Sequence, residues 1–105
     1  MDVIIHSIRL RPGIEPERFE RWVRECDYAS CPQLPSVVSF SVQRVSDGDR
    51  AAADYFEIIT VRDRDAFALD MKSAAFGALV DAFDQMAVVV DERAGIRIEP
   101  GYAAG

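Results

Sequence analysis

Residues 26–42, Cys-Asp-Tyr-Ala-Ser-Cys-Pro-Gln-Leu-Pro-Ser-Val-Val-Ser-Phe-Ser-Val, gather an acid, a phenol, thiols and two prolines between an expected helix and an expected strand. A connection of this kind carries reactive groups without breaking a ladder of backbone hydrogen bonds. Pro32 and Pro35 each fix their own φ and restrict the preceding residue, so Asp27, Tyr28 and Cys31 are expected to be held in place. A carboxylate at Asp27 beside an imidazole would orient the ring and raise its basicity, and a phenol at Tyr28 would donate to a substrate carbonyl. The structural alternatives are an Asp27 that binds a loop N–H and a Tyr28 that covers the core. Cys31 acts as a nucleophile only in an electropositive setting and is otherwise an inert buried thiol.

The imidazole is His6, the chain's only histidine. It stands mid-strand among apolar residues, either as a core group satisfied by one hydrogen bond or as an acid/base lining a pocket. Imidazole titrates near working pH and is costly to bury idly. With no second histidine and no cysteine cluster, zinc or iron lacks a ligand set, and no metal is expected. Glu57, Asp70 and Lys72 are further ionisable residues that either reach a cavity or face solvent.

The elements that must position these groups are legible from period and punctuation. Residues 3–10 alternate as a strand, with Ile4, His6, Ile8 and Leu10 on one face and Val3, Ile5, Ser7 and Arg9 on the other. Pro16 sits at the first position of a helix starting near Glu15. Phe19, Trp22, Val23 and Cys26 form its apolar stripe, which places Cys26 in the core, and the helix ends at 27–29. Residues 37–45 read as a second strand, closed by the turn Ser46-Asp47-Gly48-Asp49. Residues 55–62 read as a third strand. A helical region from Asp65 to Met86 is capped by Asp63 or Asp65 and broken near Ser73. A fourth strand begins near Val88 and is interrupted at Ala94-Gly95, and the tail from Gly101 is frayed.

The order β-α-β-β-α-β is the ferredoxin-like topology, an α+β class. Both faces of the expected strands carry apolar residues, which suits two chains pairing through their sheets as a dimeric α+β barrel. The 105 residues fit a single domain, 1–105, half of whose residues are hydrophobic. A domain this small needs outside support for a cavity, and a homodimer supplies it. Eighteen acidic against twelve basic residues give a net charge of -6, which disfavours nucleic acid and anionic membranes as partners. No run is long enough to span a bilayer, and the N-terminus enters a strand without a basic or cleavable segment, so a cytoplasmic location is expected. Cys26 and Cys31 match neither a zinc pair nor a redox motif and are read as reduced thiols. The chain lacks a phosphate-binding glycine loop and a dinucleotide fingerprint, so no phosphate-bearing cofactor is expected.

Ile5-His6 with Ile8-Arg9-Leu10, Phe19, Trp22-Val23-Arg24, Asp27-Tyr28 and Cys31-Pro32-Gln33-Leu34-Pro35-Ser36-Val37 together resemble the RedY-like (HapK-like) family. Ser39-Phe40-Ser41-Val42, Tyr55-Phe56-Glu57-Ile58-Ile59 and Asp70-Met71 with Phe76 extend the likeness over nearly the whole chain, the segment 27–42 being its specific part. The resemblance implies a dimeric α+β barrel from bacterial pathways to tripyrrole pigments and bis-indole alkaloids. It also implies cofactor-free cyclases or dehydratases acting on aromatic heterocycles. A more distant likeness is to polyketide cyclases, whose tyrosine and second histidine in the helix-two region have no counterpart in 69–76.

The expected function is therefore a cofactor-independent cyclase or dehydratase acting on an indole- or pyrrole-derived intermediate. His6, Asp27, Cys31 and Tyr28 are the candidate catalytic residues. Ile4, Ile8, Trp22, Phe40, Phe76 and Phe83 are the expected apolar walls, since aromatic side chains favour an aromatic guest. The alternative is a non-catalytic binding or chaperone protein that shields the same intermediate. A haem- or oxygen-using relative is disfavoured by the single strand histidine.

Overall fold

The computed structural model describes residues 1–46 and 52–105, so most of the expected turn at 46–49 lies outside the described residues. Four antiparallel strands, β1 (Asp2–Leu10), β2 (Val37–Arg44), β3 (Tyr55–Val61) and β4 (Ala87–Ile96), form one sheet in the order β2-β3-β1-β4. The helices fall between β1 and β2 and between β3 and β4, which is the ferredoxin-like α+β arrangement expected from the sequence.

The first helical stretch changes pitch along its length. A short α-helix, α1 (Pro16–Trp22), passes into a π-turn over Val23–Asp27, then into one α-turn, α2 (Tyr28–Ser30), and a 3-10 turn at Cys31–Gln33. After β3 come α3 (Arg64–Asp70) and α4 (Ala74–Met86). The carboxylate of Asp63 caps α3 by accepting from the Ala66 N–H at 2.7 Å. The Ser73 hydroxyl caps α4 by accepting from the Phe76 N–H at 3.2 Å, so the expected break at Ser73 is an N-cap.

The connection from 34 to 37 is held by more than its prolines. Asp70, at the end of α3, accepts from the Ser36 N–H at 2.8 Å and also from the Ser36 hydroxyl. Arg62 donates from Nε to the Pro35 carbonyl at 3.1 Å and from its backbone N–H to the Ser36 carbonyl at 2.8 Å. Asp70 therefore fastens a loop, while Lys72 stands exposed.

Strand β4 runs unbroken through Ala94-Gly95, against the expected interruption there. The irregularity lies earlier: Val89 pairs with Ile8 and Asp91 with Ser7, so Val90 is the extra residue of a bulge. Beyond that bulge, Glu92 comes opposite His6.

One sheet face carries the core in two clusters. Ile8, Phe19, Val23, Tyr55, Met86 and Ala87 make the first, and Ile4, Ile59, Val61 and Phe67 the second. Phe19 centres the first, its ring 4.8 Å from Tyr55 and 6.2 Å from Phe83. On the opposite face, Val3, Ile5, Phe56 and Ile58 remain half-buried. Among the described residues no helix is long and apolar enough to cross a membrane.

Phe19 is 1% exposed. Phe19→Ala leaves a cavity between α1, β3 and α4 and is expected to lower stability by about 3–5 kcal/mol in urea unfolding.

Candidate active site

His6 lies on the same strand face as Ile4 and Ile8 and so falls between the two core clusters. A cavity of about 320 Å³ opens there. Trp22 and Phe83, packed against the first cluster, and Phe40 and Phe76, packed against the second, are among its walls. The volume suits a small aromatic molecule.

Strand register sets the polar floor. β1 is flanked by β3 and β4, and His6 pairs in register with Glu57 on one side and Glu92 on the other. Directly opposed residues project to the same face, so three side chains meet in a row. His6 Nδ1 lies 2.7 Å from Glu57 Oε2, and Nε2 lies 2.9 Å from Glu92 Oε2. A neutral imidazole has a single N–H and satisfies only one of two carboxylates, whereas the imidazolium donates to both. The bond to Glu57 raises the His6 pKa most. Burial opposes it, and the bond to Glu92 adds to it. The clamp is asymmetric, since the Glu57 side chain is 13% exposed and that of Glu92 57%.

Asp27 enters from the helical side. In the π-turn the Tyr28 N–H bonds to the Val23 carbonyl, five residues back. The wider turn delays the helix phase by about one residue. Asp27 consequently takes the inward position after Val23, and Cys26 is exposed instead of continuing the core stripe as expected. Burial, and secondarily the negative charge of Glu57, push the Asp27 pKa up to about 7. Asp27 therefore holds or gives up a proton near neutrality.

Cys31 also lines the cavity. Burial and then the charge of Asp27 push its thiol pKa up, so it remains a thiol at neutral pH and a poor nucleophile. Its Sγ donates to the Asp27 carbonyl at 3.6 Å, which ties the 3-10 turn to the π-turn.

His6, Asp27, Cys31, Trp22, Phe40, Phe76 and Phe83 thus share one cavity. Three other expected site residues stand elsewhere. Tyr28 lies outside this cavity: its ring packs edge-on against Phe40, with centroids 5.7 Å apart, and its hydroxyl accepts from the Val42 N–H of edge strand β2 at 3.0 Å. Ile4 and Ile8 are core residues, 5% and 0% exposed, each packed within its own cluster, while His6 between them lines the cavity.

Two polar members were not identified as site residues from the sequence. From the sequence Glu57 either reaches a cavity or faces solvent, and nothing local singles out Glu92. The available signal was a glutamate inside each of two β-rich runs, which acquires meaning only when register sets it opposite the histidine. No group of three or more His, Cys, Asp or Glu side chains suited to a metal ion is present among the described residues.

Fold and site together define a ferredoxin-like α+β protein with an acid/base row on the floor of an apolar cavity. The family model described as REDY-like protein HapK matches residues 2–98, and the chain belongs to that family. Its similarity to the crystal structure of HapK from Hahella chejuensis extends over 100% of both chains, with 50% identity and a TM-score of 0.93. SnoaB, a cofactor-independent oxygenase from Streptomyces nogalater, shares the fold at 17% identity and a TM-score of 0.75 over 94% of each chain. A dimeric ferredoxin-like protein of unknown function from Thermobifida fusca does so at 14% identity and a TM-score of 0.70, over 90% of this chain and 86% of that one. A search of curated proteins returned no match.

A lone histidine makes the clamp directly observable by NMR. His6 is expected to titrate above the ordinary imidazole range, and Glu57→Gln should move it downward. Because the raised pKa belongs to the folded state, the clamp's contribution to stability is full below the unfolded-state pKa and is lost as pH rises through the folded one. Glu57→Gln should therefore cost more stability at pH 5.5 than at pH 9. Equal losses at both pH values would show that Glu57 does not act through the imidazolium.

Proposed function

We propose that the protein is a cofactor-independent enzyme of bacterial secondary metabolism that closes or dehydrates a reactive indole- or pyrrole-derived intermediate. The observation that carries this reading is the His6 imidazole held between two carboxylates on the floor of a cavity with aromatic walls. Membership of the HapK family supports it.

Glu57 fixes Nδ1 from the buried side, whereas Nε2 is held by the more exposed Glu92, so proton exchange with a guest runs through Nε2 once the Glu92 side chain gives way. In a dehydration, His6 passes its Nε2 proton to the departing oxygen as the C–O bond breaks with its electron pair and water leaves. The regenerated imidazole, or the Asp27 carboxylate, accepts the proton lost from the neighbouring carbon or nitrogen. Glu57 stabilises the charged ring before transfer and holds the neutral one in place afterwards. The walls orient the guest and keep water out, which steers a reactive intermediate to one product.

The second reading, a binding protein that shields such an intermediate, draws on the preponderance of apolar residues in the lining. The two separate at His6. His6→Asn keeps one hydrogen bond but does not titrate near neutrality, and it should retain fold and affinity while turnover drops about 10²-fold or more. Turnover is assayed on the intermediate made by enzymes encoded beside this one. A folded variant with unaltered rate and product distribution would remove His6 from catalysis and favour the binding role.

The enzyme is also proposed to act as a homodimer joined through its open sheet faces. Half-buried Val3, Ile5, Phe56 and Ile58 on that face, with Ile96 and Ile98 exposed at and beyond the end of β4, support this. Light scattering at micromolar concentration should give twice the 11.7 kDa chain mass. The interface should bury about 1,200 Å² or more in total. A monomer under those conditions would overturn the arrangement.

A further inference from the structure

The charges around the cavity point in one direction. Its ionisable lining residues are His6 from β1, Glu57 from β3, Asp27 from the π-turn, Cys31 from the 3-10 turn and Asp84 from α4. Lysine and arginine are missing from the lining among the described residues. The one basic group of the lining among the described residues, His6, is already matched by two carboxylates, Glu57 and Glu92. The surplus is negative. It sits beside aromatic faces, Trp22 and Phe83 among them, whose π-systems also attract cations.

Resting on the reading of the cavity as an aromatic site, we propose that its guest is an aromatic nitrogen compound carrying positive charge, a protonated amine or iminium. Asp27 is the carboxylate that pairs with that charge. An anionic guest of the same shape is disfavoured, because entry would set a further negative charge against Asp27 and Glu57 in a largely apolar-lined space. Such like-charge contact discriminates strongly where water is scarce.

Asp27 suits the role by position as well as charge. The π-turn presents its carboxyl to the cavity opposite the sheet, and among the described residues no lysine or arginine lines the cavity to meet it, His6 being held by the two glutamates. Its pKa of about 7, raised by burial and by Glu57, means that in the empty cavity the carboxyl is often protonated. A bound cation favours the ionised form, so binding is accompanied by proton release near neutral pH.

Three indoles differing in side-chain charge test this on the full chain by titration calorimetry: tryptamine, 3-ethylindole and indole-3-propionate. At pH 8 tryptamine should bind about tenfold or more tighter than indole-3-propionate, the scale of one charge-assisted contact, with 3-ethylindole between them. The gap should narrow at pH 6, where Asp27 is mostly protonated, and buffers of different ionisation enthalpy should reveal proton release with tryptamine. Any loss of charge at His6, whose pKa Glu57 raises, also tightens cation binding as pH rises. Asp27→Asn separates the two groups, because it should abolish most of the gap at pH 8 and leave only the His6 contribution.

That variant is expected to fold. The raised pKa means that ionising Asp27 destabilises the folded state as pH climbs from the unfolded-state value of 3.8 through about 7. Asp27→Asn should consequently melt higher than the parent at pH 8 and at the same temperature near pH 4. Equal affinity for the three indoles, or tighter binding of indole-3-propionate, would overturn the charge assignment while leaving an aromatic cavity standing. A gap unchanged in Asp27→Asn would overturn the role of Asp27. If none of the three binds, the aromatic reading falls and this inference falls with it.

Discussion

A row of three side chains across β3, β1 and β4 fixes the character of this molecule. Glu57, His6 and Glu92 meet because antiparallel register places both glutamates opposite one histidine on the same sheet face. With a carboxylate on each ring nitrogen, the charged form of the imidazole is favoured and the ring is held in a single orientation. The polar row also interrupts the apolar face, so Ile4 and Ile8 serve separate clusters and space remains between them. Cavity and acid/base group therefore have one origin.

The helical side answers that row with a local irregularity. An uninterrupted α-helix would carry Cys26 inward and keep the first cluster continuous toward the loop. The π-turn substitutes Asp27, which sets an acid against the sheet's own carboxylates. Burial and the nearby Glu57 charge both disfavour its ionised form. This is a small expenditure of stability at a place where chemistry or recognition benefits, a common context for π-bulges. The turn also organises its neighbours: Cys31 bonds to the Asp27 carbonyl, and the Tyr28 hydroxyl satisfies an edge-strand N–H that would otherwise lie open.

A second network keeps the far side of the first core cluster in register. Glu20 receives hydrogen bonds from Arg44 at 2.6 and 3.0 Å and from the Tyr55 hydroxyl at 2.6 Å, joining α1 to β2 and β3. The guanidinium of Arg44 and the phenol lower the Glu20 pKa, and burial beside that carboxylate raises the Tyr55 phenol. Together with the Asp70 anchor on Ser36, this network holds the ends of the segment that carries Asp27 and Cys31. The rigidity expected of that segment from Pro32 and Pro35 rests on these polar ties as much as on the prolines.

Periodicity and punctuation alone determined the order of elements, the ferredoxin-like class, the break before α4 and the family, because alternation, capping residues and the 27–42 motif are local properties of the chain. The apolar walls Trp22, Phe40, Phe76 and Phe83 were legible for the same reason: each lies on an amphipathic stripe or strand face. The partners of His6 were not. Glu57 and Glu92 are separated from it by 51 and 86 residues, and only the sheet register, including the bulge at Val90, brings them to the ring. The inward turn of Asp27, the exposure of Cys26 and the placement of Tyr28 outside the cavity were likewise decided in three dimensions. A π-turn shifts every later side chain around the helix, and its five-residue hydrogen bond is stabilised by tertiary packing that a one-dimensional pattern does not contain.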